Sequence, residues 1–208
     1  MTALPYSNID LTGEEAENIL LIFNNLQSKF NVSFKMDFAF SFENFSLFKN
    51  YLDHSIGPVI EVRHNENLFY ITFTQVSYKI NSASRFPVSA TKEYQTWCVL
   101  PLNRQYGHVL LKTETIFDKI HELIHPIEID FKDDTDFSKQ FYVLANDELM
   151  ARSLLNSQFR SCLKDLQVKD LWMEVSFDKL VVGNKKRIEM STALEMVDLL
   201  DKISNVIS

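Results

Sequence analysis

Two stretches, one near each end of the chain, repeat hydrophobic residues at the spacing of one helix face. Thr12 to Glu15 and Thr192 to Glu195 each have the form of a capping box, in which a threonine and a glutamate satisfy the first free N–H groups of a helix. We therefore predict amphipathic helices that open at Thr12 and Thr192. Their predicted buried residues are Ala16, Ile19, Leu20, Phe23, Leu26 and Phe30 in the first helix, and Met196, Val197, Leu200, Ile203 and Ile207 in the second.

Between these helices the hydrophobic residues mostly alternate with polar ones, which is the period of a β-strand with one buried face. The cleanest alternation predicts a strand that runs through Phe42 and buries Val32, Phe34, Met36, Phe38, Phe40 and Phe42. A short helix with Phe45, Phe48, Tyr51 and Leu52 is predicted to stop at Gly57-Pro58. Further predicted strands cover 59–63, 68–80, 94–102 and 127–131, with a hairpin loop at His64 to Asn67 and a bulge between Phe73 and Val76.

The segment 137–183 carries the densest set of matched local signals. It predicts a strand with Phe141, Val143 and Ala145, helix N-caps at Asn146 and Asp147, and two short helices. The hydrophobic faces predicted for these helices are Leu149, Met150, Leu154 and Leu155, then Phe159, Cys162, Leu163 and Leu166. A hairpin follows, with a turn at Asp178-Lys179 and a buried row of Leu171, Met173, Val175 and Phe177.

The order of these elements predicts an α+β fold, in which a largely antiparallel sheet packs against several amphipathic helices. A further helix is predicted from Thr113 to His125. We expect a single domain over residues 1–208. Two places where it could be subdivided are 81–92, which has the composition of a long surface loop, and 132–137, which begins with an acidic turn.

Composition and charge narrow the class of partner. The 208 residues, 46% hydrophobic and 24% charged, are enough to bury a sizeable core. The net charge of −7 gives no attraction for a phosphate backbone, so we predict no nucleic-acid partner. No apolar run approaches the length of a membrane span, and the first residues lack the pattern of a signal peptide. Cys98 and Cys162 stand singly, as in proteins of a reducing compartment, and we predict a soluble protein of the cytoplasm.

One motif carries candidate chemistry: residues His121, Glu122 and His125 match H-E-x-x-H, the zinc-protease pattern. In that pattern two histidines on one helical face hold zinc and the glutamate acts as general base on the bound water, while Glu148 could supply a third ligand. Pro126 disfavours helical geometry at His125, and the apolar stripe of this helix leaves both histidines on its flank and outer face. We predict that the helix ends at or just before His125 and that both imidazoles are exposed to solvent.

An acidic cluster offers a weaker candidate site. Asp130, Asp133, Asp134 and Asp136 could take a calcium ion. The run lacks the glycine and the terminal glutamate of a calcium-binding loop, so we predict a solvated turn. The glycine-rich phosphate loops and the G-x-S-x-G elbow of serine hydrolases do not occur in the sequence.

The segment 137–183 also resembles an uncharacterised bacterial family of domains of unknown function. The resemblance is carried by Phe137, Phe141, Val143, Asp147, Ala151, Leu154, Leu155, Phe159, Leu163, Val175, Phe177 and Leu180 to Val182. It implies an intracellular bacterial α+β domain without an assigned activity. Many members carry transmembrane helices ahead of the domain, a feature for which this sequence shows no apolar run. The matching positions are packing positions and do not make Glu148 a metal ligand.

The leading functional prediction is therefore a non-catalytic binding or interaction protein, with no cofactor and with a protein as partner. A chain this acidic could neutralise a basic toxin or enzyme. The alternative is a zinc-dependent hydrolase, with Glu122 as the catalytic base and His121, His125 and Glu148 as zinc ligands. The oligomeric state is left open by the sequence.

Overall fold

The computed structural model describes residues 4–6, 10–79, 90–113, 126–164, 166 and 170–207. The helices in this part of the chain are α1 (Gly13–Leu26), α2 (Thr135–Gln140), α3 (Glu148–Leu154), α4 (Ser157–Lys164) and α5 (Met190–Ile207), with a short 3₁₀ turn at Ser46–Phe48. The strands are β1 (Asn31–Phe34), β2 (Asp53–His64), β3 (Asn67–Lys79), β4 (Ala90–Pro101), β5 (His108–Thr113), β6 (Ile127–Glu128), β7 (Phe141–Ala145), β8 (Trp172–Ser176) and β9 (Lys179–Arg187).

The nine described strands form one antiparallel sheet in the order β1-β2-β3-β4-β9-β8-β5-β7-β6. The predicted α+β class with a largely antiparallel sheet is confirmed. The predicted hairpin is confirmed as well, because β2 and β3 pair from His64 and Asn67 across a two-residue turn with Asn65 at φ 54°. The first place of suggested subdivision, 81–92, falls where the chain passes from β3 into β4, and the second, 132–137, falls between β6 and β7; both pairs of strands are neighbours in this one sheet.

One face of the sheet is covered by helices, and the larger core lies between the two layers. The capping box of α1 is confirmed, since Thr12 N donates to Glu15 Oε2 over 2.8 Å and Glu15 N donates to Thr12 Oγ1 over 3.2 Å. The prediction of a second capping box, at Thr192, is wrong. α5 begins at Met190, and the Thr192 hydroxyl donates to the carboxylate of Glu189, which precedes the helix.

A second, smaller core lies on the opposite face of the sheet, under the segment that follows β1. The strand predicted through Phe42 ends at Phe34 instead, and Met36 beyond it is 59% exposed. The chain then crosses over the sheet, where the rings of Phe42 and Phe48 stack with centroids 4.0 Å apart and Phe48 contacts Trp97 at 4.8 Å. Of the alternating phenylalanines, Phe34 ends β1, whereas Phe38, Phe40 and Phe42 lie in an irregular segment over the second core, residues 38–48, which we call the aromatic cover.

The irregular path begins where β2 bends. Gly57 and Pro58, predicted to stop a helix, lie inside β2, and its pairing with β3 shifts register between Ile56 and Val59. The predicted bulge is thus placed in the wrong strand of the hairpin. A Cβ on Gly57 would lie 2.6 Å from the carbonyl oxygen of Phe73, and proline has no N–H for the ladder, so this pair suits an irregular position in the strand. The helix predicted ahead of them is reduced to the 3₁₀ turn.

Trp97 is the largest fully buried side chain of the second core. It pairs with Gly183 in the β4–β9 ladder, and a Cβ on that glycine would lie 2.3 Å from the indole ring. The indole Nε1 donates to Gln95 Oε1 over 3.2 Å, which satisfies its one polar atom. Because Gly183 in β9 has no side chain, the indole of Trp97 can lie against the backbone there.

Several predicted boundaries in the second half of the chain also differ. The strand predicted at 127–131 is two residues long, and Phe137 lies in α2. The predicted loop at 81–92 and the helix predicted from Thr113 to His125 fall largely outside the described residues. Within the described part, residues 90–92 belong to β4 and Thr113 ends β5.

Candidate binding surface

The histidines and glutamate of the zinc-protease pattern, His121, Glu122 and His125, lie outside the described residues, and so do the predicted helix end and imidazole exposure. Glu148, the proposed third ligand, is described. It opens α3, and its Oε1 lies 2.8 Å from Nη2 of Arg152 one helical turn later. No group of three or more potential metal ligands occurs within the described ranges. Glu148 is therefore engaged in an ion pair with Arg152.

The acidic turn is bound to a buried cation. Arg160 Nη2 lies 2.5 Å from Asp133 Oδ2, Arg160 Nε lies 3.1 Å from Asp134 Oδ2, and Lys164 Nζ lies 2.7 Å from Asp134 Oδ1. The hydrogen bond from Lys164, helped by those from Arg160 and the N–H of Phe137, holds the pKa of the Asp134 carboxyl below its ordinary value. The predicted solvated turn is wrong for Asp134, whose carboxylate oxygens are engaged in anchoring α2 to α4.

A second buried carboxylate, missed by the sequence analysis, is Glu174 in β8. It is fully buried on the second face, where its Oε1 accepts from Ser46 N over 2.7 Å and its Oε2 accepts from Leu47 N over 2.9 Å. His108 Nε2 also contacts Oε1. Periodicity assigned Met173 and Val175 to the core face and left Glu174 on the face expected to be wet. Glu174 therefore fixes the 3₁₀ turn to the sheet.

The pair of His108 and Glu174 has the parts of a general base with its orienting carboxylate. Ser176, the Cα partner of His108 in the β5–β8 ladder, is a buried hydroxyl on the same face. Both carboxylate oxygens, however, already accept backbone N–H groups of the aromatic cover. The geometry thus supports an anchor for that cover and gives no separate reason to assign catalysis.

Large apolar side chains are exposed together at one end of the sheet. Leu149 is 82% exposed, Met150 44% and Phe177 59%. Phe177 N donates to the carbonyl oxygen of Gly107 over 2.7 Å, and a Cβ on Gly107 would lie 3.6 Å from the sulfur of Met150, so Met150 and Phe177 flank one short loop, with Leu149 next to Met150 in α3. We call Leu149, Met150 and Phe177 the apical patch. Ile127, 45% exposed, lies near it through its pairing with the last residue of β7.

The backbone beneath the apical patch is held firmly. Phe177 has φ 56°, a left-handed conformation that is uncommon for an aromatic residue, and it accepts at its carbonyl from Tyr106 N over 2.9 Å. Asn146 Oδ1 accepts from His108 N over 2.9 Å, and Asp147 caps α3 through Met150 N over 3.0 Å. A strained residue that persists in a well-bonded turn is a recognised feature of functional sites.

Hydrophobic periodicity predicts burial of Leu149, Met150 and Phe177, and that prediction is wrong. α3 turns Ala151 and Leu154 inward, so that Leu149 and Met150 face solvent. Phe177, predicted to complete a buried row, occupies the turn between β8 and β9. The predicted N-cap at Asp147 is present, but a cap sets where α3 begins and does not set which side of the helix faces the sheet.

Charged residues surround the apical patch. Asp147, Glu148 and Asp178 supply three carboxylates, and Arg104, Arg152 and Lys179 supply three cations, with Arg104 Nη2 donating to Ser153 Oγ of α3 over 2.8 Å. Arg152 pairs with Glu148 and Lys179 pairs with Asp178, each over 2.8 Å. The hydrogen bond from Lys179 holds the pKa of the Asp178 carboxyl below its ordinary value. The charges that border the patch are therefore mixed in sign and equal in number.

Two further findings bear on the class of protein. None of the helices in the described ranges has both the length and the hydropathy that crossing a bilayer requires. A scan against protein-family models, a search of curated proteins and a search of solved structures each found no match for this chain. The resemblance of 137–183 to a bacterial family of unknown function stays a prediction.

Proposed function

We propose that this protein is a non-catalytic interaction protein of the cytoplasm that binds a basic protein partner through the apical patch. The observation that carries the proposal is the exposure of Leu149, Met150 and Phe177 around one well-bonded loop. Scattered single apolar residues are normal on a protein surface, whereas a cluster at the end of a rigid sheet is typical of a contact site.

The size of the apolar side chains fits the centre of a small interface. Full burial of each leucine, methionine or phenylalanine contributes about 1.5–3 kcal/mol relative to exposure. Interfaces concentrate their binding free energy in a few such central residues. The turn at Phe177 and the cap at Asp147 hold the backbone in place before binding, which lowers the entropy cost of association.

The charge of the chain selects the partner. The net charge of the chain is −7, although at the patch itself the carboxylates of Asp147, Glu148 and Asp178 are matched in number by the cations of Arg104, Arg152 and Lys179. A positively charged protein is attracted over long range by the net field of the chain. A second copy of the chain carries the same net negative charge, so self-association is disfavoured. A basic enzyme or toxin is the kind of partner that fits.

Selection of random peptides displayed on phage against the immobilised protein tests this proposal. Enriched peptides should combine lysine or arginine with large apolar residues. Their affinity should fall by about tenfold or more in Leu149→Glu and in Phe177→Asn. Asparagine tolerates the left-handed conformation at position 177, so the second variant removes the ring while keeping the turn folded.

The matched control is Leu21→Glu, which adds the same charge at an exposed leucine in the middle of α1, on a different element. Enriched peptides should bind this variant as they bind the wild type. Peptides without basic residues, or equal loss in the control and in Leu149→Glu, would contradict the proposal. Thermal melts of all variants show whether a loss of binding reflects a loss of fold.

Metal analysis separates this proposal from the alternative of a zinc-dependent hydrolase with Glu122 as base and His121, His125 and Glu148 as ligands. The ion pair between Glu148 and Arg152 supports the interaction function, because it occupies the proposed third ligand. Protein purified without chelator or affinity-tag metal should carry far less than one zinc per chain. About one bound zinc, lost in His121→Ala, would favour the hydrolase instead.

A further inference from the structure

A cavity of about 260 Å³ opens between the aromatic cover and the first residues of β2, on a different part of the molecule from the apical patch. Its wall is formed by Phe38, Phe40, Ser41, Phe42, Glu43, His54, Ser55 and Ile56. Phe38 and Phe40 are only half-buried although they belong to the second core. The cavity therefore presents aromatic surface to solvent at a place where the sequence predicted a regular strand.

The rings of this cavity meet at different angles. Phe38 and Phe40 lie nearly parallel, with centroids 5.6 Å apart, and Phe38 packs on Tyr70 at 4.7 Å. Phe40 and Phe42 are close to perpendicular at 4.9 Å, and Phe42 meets His54 edge to face at 6.3 Å. Phe42 is buried and stacks on Phe48, whereas Phe38 and Phe40 keep part of their ring surface accessible, and aromatic ring faces attract cations.

Negative charge accompanies this aromatic wall. The carboxylate of Glu43 belongs to the cavity lining, and the exposed residues Asp37 and Asp53 are sequence neighbours of lining residues. Within the described residues, no hydrogen bond or ion pair engages the Glu43 side chain, and no lysine or arginine lines the cavity. An anion would be repelled here, whereas a cation would gain both the carboxylate and the aromatic faces.

We propose that this cavity binds a methylated ammonium group of the trimethylammonium type, carried either by a small molecule or by a methylated lysine side chain. A primary ammonium is strongly hydrated and needs several hydrogen-bond acceptors to replace its water, and beside the Glu43 carboxylate the lining side chains offer only the neutral groups of Ser41, Ser55 and His54. A trimethylammonium group donates no hydrogen bonds, so it needs no such acceptors and suits the accessible rings of Phe38 and Phe40 beside one carboxylate. The inference is independent of the apical patch and of its partner.

Titration with choline, followed by isothermal calorimetry and by NMR shifts of the aromatic protons, tests the charge requirement. The neutral analogue 3,3-dimethylbutan-1-ol has the same shape with carbon in place of the charged nitrogen. Choline should bind saturably and about tenfold or more tightly than the alcohol. Equal affinities would overturn the proposal, because a merely apolar cavity does not distinguish the two molecules.

Two variants place the binding in this cavity. Phe40→Leu keeps an apolar side chain and removes one ring face, and Glu43→Gln removes the charge at an exposed position, where the fold is insensitive. Each should weaken choline by about threefold to tenfold, while Glu66→Gln in the β2–β3 turn should change nothing. Choline binding that is unchanged in Glu43→Gln and Phe40→Leu would overturn the assignment.

A peptide that carries Nε-trimethyllysine distinguishes the two sources of the cation. Tighter binding of the peptide than of choline identifies a methylated protein as the ligand, and tighter binding of choline identifies a small molecule. The unmethylated peptide should bind about tenfold more weakly than the methylated one. Failure of both choline and the methylated peptide to bind the wild type overturns the proposal and leaves the function of the apical patch untouched.

Discussion

Removal of the Glu174 carboxylate should release the aromatic cover from the sheet. In the wild type this buried side chain accepts from Ser46 N and Leu47 N and contacts His108. In Glu174→Ala the two backbone N–H groups lose their acceptor in a place that water does not reach. The change thus tests whether one side chain of β8 holds the 3₁₀ turn.

The magnitude follows from the groups left without partners. Each buried N–H that loses its acceptor costs about 1–3 kcal/mol, and the deleted side chain leaves space in the second core. Removal of the buried negative charge offsets part of this cost, because that charge was itself expensive to bury. The expected net loss in the free energy of unfolding for Glu174→Ala is about 3–5 kcal/mol.

Glu174→Gln separates the charge from the volume. Glutamine keeps one acceptor oxygen but turns an NH₂ group towards one of the two backbone N–H groups, so we expect a loss of about 2–3 kcal/mol. Glu17→Ala, at an exposed position of α1, is the control and should change stability by less than about 0.5 kcal/mol.

Urea unfolding followed by tryptophan fluorescence measures these differences, since Trp97 contacts Phe48 of the 3₁₀ turn and reports on the second core directly. A loss below about 1 kcal/mol in Glu174→Ala would refute the reasoning. Equal losses in the alanine and glutamine variants would show that the charge alone, and not the number of accepted N–H groups, sets the stability.

Three further outcomes test other parts of the structure. Gly183→Ala should lower the free energy of unfolding by about 1–3 kcal/mol or more, because the new Cβ would lie 2.3 Å from the indole of Trp97. The control Gly13→Ala meets no atom within 4 Å and should be neutral or slightly stabilising in urea unfolding. Equal effects of the two changes would contradict this packing. A thiol reagent at about pH 8 should label the partly exposed Cys162 and spare Cys98, because burial raises the pKa of the Cys98 thiol to about 12. Equal labelling rates of the two cysteines without denaturant would contradict that burial. Asp134→Asn should lower the free energy of unfolding near neutral pH, and the difference from the wild type should shrink as the pH falls from about 5 towards 2. The pKa of Asp134 in the folded state lies below the unfolded value of about 3.9, so the wild type loses this stabilisation as the pH falls through the folded pKa. A difference that stays constant with pH would argue against the ion pairs.

The elements predicted well are those fixed by neighbouring residues. The capping box at Thr12 and the hairpin at Asn65 depend on side chains and turn geometry within a few positions, and both are present. The prediction of a strand through Phe42 was wrong because of residues that are distant from it in the sequence. Its alternation is that of a strand, but the partner strand bends at Gly57-Pro58 and leaves no regular edge for it to pair with.

The candidate site was harder to predict because its residues are apolar. Hydrophobic periodicity assigns leucine, methionine and phenylalanine to the core by default, and it carries no information on the helix register that turns Leu149 and Met150 outward. The left-handed backbone at Phe177 is likewise set by the β8–β9 turn and its bonds to the preceding loop. Glu174 was missed because the second sheet face was expected to meet water, and only the folded chain shows that it is covered.

The position of β9 between β4 and β8 has a consequence for how the chain is made. The meander from β1 to β4 can form as soon as it leaves the ribosome, but its twelve-residue inner edge at β4 has no neighbour until residues 179–187 have been synthesised. During that interval the backbone around Trp97 presents an open strand edge, the kind of surface that pairs with other nascent chains. We expect the risk of aggregation to fall once β9, the second strand of the last hairpin, has paired with β4.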